Sequence, residues 1–377
     1  MSAWSIPLLA AWSAVFAGFV ATVALRSRPR VQPLAPLAPT RVLLVRPCTL
    51  AAPSTIAAMA TVPRAPAGVQ LRWIGVVADA DDPAWPHVQA IAASLDSRGL
   101  PAAALLSSAR GPNRKAEQID AAVARFGAEA DVLVVVDGDV DLASLDLAAL
   151  LAPLGAPCTD VGVTWASPIE ADAATLGDRL SRAILGGSLH AFALLAALDP
   201  GLLVGKAFAL RLETLASIGG AASLREYLGE DFELARRVRA RGLQLRRCTT
   251  VRSLARGRGL GAVLERYTRW IAVVRAQRPA RMISYPMLLA ATPLLLLGAL
   301  LGAPPLAAAG FASGALALRA AVTRLAARRS GATPPNLPLA LLADLLLLAA
   351  WARATVIREL RWAEHRLRLG RDGRLQP

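Results

Sequence analysis

Asp137-Gly138-Asp139 follows directly on the apolar run Val132–Val136. Glu230-Asp231 opens a helical stretch, and Arg266-Tyr267-Thr268-Arg269-Trp270 comes just before the chain turns apolar. A DxD at a strand end can hold Mg2+ or Mn2+, hard ions that take oxygen ligands and bridge phosphates. An acceptor hydroxyl is too weak an acid to ionise unaided, and a carboxylate within hydrogen-bond reach can take its proton. Arginines add positive charge beside a diphosphate leaving group. Asp137 with Asp139, Asp231, and Arg266 with Arg269 fill those three roles in moving a sugar from a nucleotide diphosphate. Each signal alone is weak. A DxD also occurs in solvated turns, an acidic pair suits a helix N-terminus, and an Arg/Trp helix suits a membrane surface. Asn113-Arg114-Lys115 reads equally as a cap followed by surface charge, and His190 as a satisfied core histidine. The order of the motifs, between an apolar start and an apolar C-terminal block, carries the reading.

These residues must be positioned by elements visible in the same sequence. Residues 41–45 and 71–77, Ala102–Leu106 and Val132–Val136 read as strands, the last fully buried and parallel. Residues 85–95 place Val88, Ile91, Ala92 and Leu95 at helical spacing, and 113–125 read as a second helix. Strand and helix alternating from 41 to about 140 imply an α/β domain with a mostly parallel sheet. Ligands bind such sheets beyond the carboxyl ends of the strands, where Asp79–Asp82 and Asp137–Asp139 fall. Further on, 161–166 and 207–210 are strand candidates, 173–197 a long Ala/Leu-rich helical stretch, and 231–241 a helix stopped by Gly242.

Composition bounds the setting. The 377 residues are 55% hydrophobic and carry 42 Lys+Arg against 27 Asp+Glu, a net charge of +15. The mean hydropathy of +0.45 is high for a soluble enzyme. The charge has no nucleic-acid module beside it, and three Tyr and seven Phe offer little base stacking, so anionic lipid headgroups are the better partner and nucleic acid is excluded. Cys48, Cys158 and Cys248 have no CxxC spacing, which favours reduced thiols over a disulfide or zinc framework.

Residues 3–25 are uncharged and long enough to cross the hydrocarbon core. Arg26, Arg28 and Arg30 follow, marking that side as cytoplasmic. The reading is an anchor over 1–28, a cytoplasmic catalytic domain over 29–281 that begins with a proline-bearing linker (Pro33, Pro36, Pro39), and membrane-embedded helices over 282–352. In that last block 286–321 reads as a hairpin, and the 14-residue run 337–350 as too short to span, hence re-entrant or interfacial. The basic tail, 353–377, reads as an amphipathic surface helix.

The chain resembles the ceramide glucosyltransferase family, membrane-bound inverting glycosyltransferases of GT-A fold, and its bacterial relatives, among them hopanoid-biosynthesis glycosyltransferases. The resemblance rests on the D, D, D, (Q/R)xxRW series. Asp82 in Asp79-Ala80-Asp81-Asp82-Pro83 matches the first element, which implies a nucleoside-binding role; Asn113 and Lys115 match a stretch near the nucleotide. Asp137 matches the second aspartate, and Asp139 completes the pair that binds the metal and diphosphate. Gly205-Lys206 resembles the segment lining the acceptor side, with Glu230 and His190 placed there too, and Gly219-Gly220 matches a glycine pair ahead of the third aspartate. Asp231 matches that aspartate, the general base, and Arg266, Arg269 and Trp270 the terminal motif. His365–Leu369 and Gly370 resemble the family's C-terminal stretch. The family's Lys-Pro-Leu-Cys/Lys-Gly is here Arg46-Pro47-Cys48-Thr49, without the glycine. The resemblance implies Mg2+ or Mn2+, a UDP-sugar donor and a membrane-lipid acceptor. UDP-glucose with ceramide is the first expectation, a hopanoid or polyol lipid with UDP-N-acetylglucosamine the alternative.

Overall fold

The computed structural model describes residues 5–28, 40–50, 52–155, 160–254, 256–357, 359–362, 365–370 and 373–376. The proline-bearing linker and Cys158 lie outside them. The chain divides into two compact units: 31–172, 199–256 and 358–377 form one, and 1–30, 173–198 and 257–357 the other. Segments 173–198 and 257–281, which the sequence reading kept with the catalytic domain, thus group with the apolar helices.

The first unit is built on one sheet of eight strands: β1 (Thr40–Cys48), β2 (Val69–Val77), β3 (Ala102–Leu106), β4 (Val132–Val136), β5 (Val140–Asp141), β6 (Val161–Glu170), β7 (Ala207–Arg211) and β8 (Gln244–Ser253). Their order is β3-β2-β1-β4-β7-β6-β8-β5. β3, β2, β1 and β4 run parallel, β7 runs antiparallel between β4 and β6, and β8 runs parallel to β6. Val132–Val136 is buried throughout, as expected of a β-branched run in mid-sheet. The helix Trp85–Ser97 buries Val88, Ala92 and Leu95, and the helix Arg114–Phe126 buries Ala116, Ile119 and Ala122. Trp73, Leu44, Val134, Leu150 and Leu151 form part of the core that Val88, Ala92 and Leu95 join.

Two features of this unit depart from expectation. β8 lies inside the sheet although Gln244–Ser253 holds three arginines and no apolar run. The C-terminal tail is not an amphipathic helix: β9 (Glu359–Trp362), β10 (His365–Leu369) and β11 (Leu375–Gln376) form an antiparallel sheet. In His365–Leu369 leucine and arginine alternate with period two, and that pattern suits a strand better than a helix. The tail then runs antiparallel to Glu226–Leu228, with Leu375 N donating to Glu226 O (2.7 Å) and Leu228 N to Gly373 O (3.3 Å).

The second unit is helical. Ile6–Arg26, Leu176–Leu198, Pro305–Ser330 and Leu337–Val356 are long and apolar enough to cross a membrane, and Pro279–Leu289 with Ala291–Leu301 form a further pair bent by 46°. Three expectations are corrected here. The run from Leu337 continues through Trp351 and Arg353 to Val356, giving 20 helical residues, which is long enough to span. The expected 286–321 hairpin keeps its turn at Ala303–Pro304, but its first leg is broken into Ser284–Leu289 and Ala291–Gly302 and its second leg runs on from Pro305 to Ser330. Residues 173–197 are not one helix either: Leu176–Gly187 and Phe192–Leu198 are parted at Ser188–Ala191, beside His190.

Two of the charges buried in this helical unit face each other. Arg319 (3% exposed) and Asp344 (5%) pair through Nε–Oδ2 at 2.6 Å and Nη2–Oδ1 at 3.0 Å. Arg319 also donates to Gly187 O (2.9 Å), Thr323 Oγ1 (2.7 Å) and Ala340 O (3.1 Å), so one guanidinium ties three helices together. Gly187 is also pressed against the segment after Pro305–Ser330, where a Cβ on it would meet Pro335 Cδ at 2.6 Å.

Breaking this pair from one side leaves a buried, uncompensated charge. Asp344→Leu is expected to destabilise the detergent-solubilised protein by about 3–5 kcal/mol, with Arg319→Leu/Asp344→Leu recovering most of the loss. Thermal unfolding of the two variants side by side checks this; a double variant no more stable than the single one refutes it.

Candidate active site

β4 ends at Val136, and the next residues close a turn in which Val140 N donates to Asp137 O (3.1 Å). Asp137 N donates to Lys206 O (2.9 Å), extending the β4–β7 ladder by one step, and Leu254 N donates to Asp139 O (2.8 Å). The antiparallel pairing therefore sets Lys206, at the start of β7, opposite the DxD at the end of β4. Its ammonium stands 2.6 and 2.7 Å from the two Asp139 oxygens and 3.3 Å from Asp137 Oδ2. Ser253 Oγ, at the end of β8, donates to Asp139 Oδ2 at 2.9 Å.

A second lysine reaches Asp137 from the other side. Asn113 caps the helix Arg114–Phe126 by accepting from Ala116 N (3.1 Å), and its amide donates to Tyr227 O (2.7 Å) and Glu230 Oε2 (3.3 Å). Lys115, in the first turn, places Nζ 2.8 Å from Asp137 Oδ1, 3.0 Å from Glu230 Oε1 and 2.7 Å from Gly205 O. Burial opposes its charge, but Asp137 and Glu230 outweigh that and hold its pKa above the ordinary value. Asn113 is thus the cap that sequence allowed, whereas Lys115 is part of a carboxylate cluster and not surface charge.

Glu230 and Asp231 begin the helix Glu230–Ala240. Asp231 accepts from Gly205 N (2.8 Å) through Oδ2 and from Phe232 N (2.9 Å) through Oδ1. Burial, and then the neighbouring Glu230 charge, push its pKa up to about 7, against the partial opposition of Lys115 and the two backbone donors. Gly205 is small for a reason: a Cβ would lie 3.1 Å from Lys115 Nζ and 3.2 Å from Asp231 Oδ2. Gly219 and Gly220, at φ +99° and +73°, make the left-handed turn through which the chain approaches Glu226–Leu228. The structure therefore gathers Asn113, Lys115, Asp137, Asp139, Gly205, Lys206, Glu230 and Asp231 in one network.

Asp82, beyond the end of β2, is committed to the neighbouring loop. It accepts from Thr49 Oγ1 (2.7 Å), Leu50 N (2.9 Å) and Ala84 N (2.9 Å), and so fixes a turn in which Leu50 has φ +59°.

His190, Arg266, Arg269 and Trp270 belong to the helical unit. Arg266 lies 4.5 Å over the Trp270 ring, Tyr267 packs edge-on to Trp270 at 5.3 Å, and Phe192 stands 5.9 Å from it. The helix Leu260–Gln277, which carries them, is stitched to Leu176–Gly187. Tyr267 Oη and Ser181 Oγ are 2.9 Å apart, and Asp178 accepts from Gly257 N (2.7 Å) and Arg258 Nε (3.0 Å). His190 stacks on Tyr285 at 4.8 Å, and its buried Nδ1 has no hydrogen-bond partner among the described residues. Burial lowers the pKa of Arg269.

Two residues carry more than sequence reasoning assigned. Lys206, expected on the acceptor side, is the cation between the DxD carboxylates. Arg46 donates from beneath to carbonyls of the same turn. A signal for the first was available: Lys115 and Lys206 are the chain's only lysines among 42 basic residues. Among the described residues, no group of three or more His, Cys, Asp or Glu could hold a metal ion. Two carboxylates nevertheless fit an Mg2+ or Mn2+ ion that takes its other ligands from phosphates and water. The Lys206 ammonium, in contact with both Asp137 and Asp139, shows that one cation can serve the two.

Comparison with known proteins agrees with this architecture. The family profile of glycosyl transferase family 21 matches residues 7–375. The mannosyltransferase PcManGT from Pyrobaculum calidifontis, solved in complex with GDP-Man and Mn2+, superposes with a TM-score of 0.52 at 17% identity, over 93% of this chain and 98% of that one. Glucosyl-3-phosphoglycerate synthase from Mycobacterium tuberculosis, solved with Mg2+ and UDP, gives 0.38 at 16% identity, over 62% and 79%. No curated protein sequence matches. The fold is of the GT-A kind, with apolar helices added to it.

The raised pKa of Asp231 makes stability depend on pH. From its ordinary value of 3.8 up to about 7, the folded protein keeps a proton that the unfolded chain releases, so stability falls as pH rises through that window. Denaturant unfolding at several pH values should show this slope in the wild type and a flatter one in Asp231→Asn. Equal slopes would mean that Asp231 titrates normally.

Proposed function

Because the chain belongs to glycosyl transferase family 21, we propose that it moves a hexose from a UDP-sugar, UDP-glucose first, to the hydroxyl of a membrane lipid, ceramide first, with inversion. The observation that carries this is the unbroken run Asp139–Lys206–Asp137–Lys115–Glu230, with Asp231 reached through the shared Gly205. A site with two carboxylates for a cation and a third whose pKa sits near neutrality contains what donor activation and proton removal require.

In this reading Asp137 and Asp139 hold Mg2+ or Mn2+, which when bound supplies positive charge against the diphosphate. Asp231 takes the proton of the acceptor hydroxyl as that oxygen forms its bond to the anomeric carbon. The bond from that carbon to the diphosphate breaks on the opposite face, and its electron pair leaves with UDP. Lys115 and Lys206 are compact cations, able to turn from the carboxylates to phosphate oxygens without leaving the site. Asp82, through the loop it ties to Thr49 and Leu50, shapes the nucleoside end. Arg266, Arg269 and Trp270 serve the diphosphate and the acceptor mouth, and His190, whose Nδ1 lacks a partner among the described residues, serves the acceptor. The apolar helices would bring the lipid within the bilayer, and Arg26 and Arg28 after the first of them support a cytoplasmic catalytic domain in this reading.

The changed segment Arg46-Pro47-Cys48-Thr49 favours keeping the second acceptor class, a hopanoid or polyol lipid with UDP-N-acetylglucosamine. Purified protein incubated with a panel of UDP-sugars and lipids, with products identified by mass spectrometry, separates the two. Glucosylceramide from UDP-glucose is the expected product, and its absence beside a hopanoid product would transfer the assignment.

Asp231→Asn should lower turnover at least a hundredfold, on the order of what a general base contributes, with donor binding retained. Wild-type kcat/KM should rise with pH through about 7, as Asp231 ionises. Turnover undiminished in the variant removes Asp231 from the role of base.

A further inference from the structure

Arg46 is 0% exposed, set in the buried run of β1 between Val45 and Pro47. Among the described residues no carboxylate pairs with it. A buried charge without an ion partner is costly, and what offsets the cost at Arg46 is the set of hydrogen bonds made by Nη1 and Nη2, Nε having no partner among the described residues. Here they are spent on main-chain carbonyls of two separate segments. Nη1 donates to Ala58 O (2.9 Å) and Met59 O (3.1 Å), at the end of the helix Pro53–Met59. Nη2 donates to Asp137 O (3.1 Å), Gly138 O (3.1 Å) and Val140 O (2.6 Å).

The second set belongs to the turn that carries both DxD carboxylates. Three of its carbonyls are gathered on one guanidinium nitrogen, while its carboxylates meet Lys115 and Lys206. The turn is also pressed against the end of β1: a Cβ on Gly138 would lie 3.3 Å from Pro47 O and 3.5 Å from Cys48 Sγ. Just downstream, Leu142 N donates to Thr61 Oγ1 (2.7 Å), tying the chain after the turn to the segment after the Pro53–Met59 helix. A planar fork can bridge two groups of carbonyls; a single ammonium at the same depth cannot span both.

We propose that Arg46 is the positioning residue of the donor site, holding the Asp137–Val140 turn against the carbonyl end of the Pro53–Met59 helix and so fixing where Asp137 and Asp139 stand. It touches neither substrate nor cation and acts through the main chain. This rests on the reading above that the two carboxylates take the cation and the diphosphate. The clamp itself, however, is read by a measurement that needs no turnover.

The test uses the full chain in detergent, with Arg46→Met, which keeps an unbranched apolar stem and loses both charge and fork, and Arg46→Lys, which keeps the charge alone. Hydrogen exchange reports on the Val140 and Leu254 amides, which donate to the turn. Mn2+ binding is followed by paramagnetic resonance of the free ion. Arg46→Met is expected to exchange faster at those amides, with the amides of β4 still protected, and to bind Mn2+ about ten- to a hundredfold more weakly. Arg46→Lys should fall between it and the wild type. A folded Arg46→Met with unchanged exchange or unchanged Mn2+ affinity overturns the assignment. If Arg46→Met does not fold, Arg46→Lys decides: wild-type exchange and affinity in it overturn the proposal, and a loss in both supports it. A wild-type protein that does not bind Mn2+ would instead refute the role given to Asp137 and Asp139, whatever the exchange shows.

Discussion

Four carboxylates, Asp137, Asp139, Glu230 and Asp231, stand in one partly buried network, and their mutual repulsion is the constraint around which the sheet unit is arranged. Two lysines answer it. Lys206 meets Asp139 and Asp137, and Lys115 meets Asp137 and Glu230. Asp231 is left without a direct ammonium contact and has two backbone N–H donors in its place. Hydrogen bonds from neutral donors do not offset burial together with the charge of Glu230, and its pKa rises. An acid whose proton is easily held and easily lost thus emerges from which carboxylates the lysines reach. The reach of the lysines is fixed in turn by two local facts, the antiparallel β4–β7 step and the Asn113 cap.

The choice between lysine and arginine follows the shape of each task. Where a cation must sit between carboxylates from different elements, the chain places its two lysines, whose ammonium is a compact point charge on a flexible stem. Where carbonyls of two segments must be joined at depth, it places an arginine, at Arg46. Arg319 repeats that pattern in the helical unit, where its fork takes the Asp344 carboxylate while the rest of the guanidinium binds Gly187, Thr323 and Ala340.

Much of this was legible in the sequence, and the failures have physical causes. β1, β2, β3 and β4 announce themselves as apolar runs, and the helix over Trp85–Ser97 by its spacing, because burial on a sheet selects those residues. β8 does not, since its half-exposed residues let arginine and threonine occupy an interior strand. The tail misled because a short Arg/Leu alternation fits two periods when read loosely, and only the pairing with β9 separates them. Leu337–Val356 looked too short because the count stopped at the first aromatic and charged residues, which a helix end at a membrane surface tolerates. The acidic motifs were visible as types and spacing. Their connections were not: that Lys206 faces Asp139 follows from strand order, and that Arg46 lies under the DxD turn follows from β1 being the neighbour of β4. Neither is local in sequence.

In the helical unit the same accounting identifies where polarity is answered and where it is left open. Arg319 and Asp344 satisfy each other, and Asp178 is met by Gly257 and Arg258, so those groups are committed to holding helices together. His190 differs. It sits where the apolar stretch breaks at Ser188–Ala191, with one face against Tyr285 and Nδ1 without a partner among the described residues. A buried polar atom left unanswered is costly unless something else meets it. A helix break exposes backbone groups that the intact helix would have used itself, so this position combines an imidazole nitrogen with main-chain polarity inside an apolar surround.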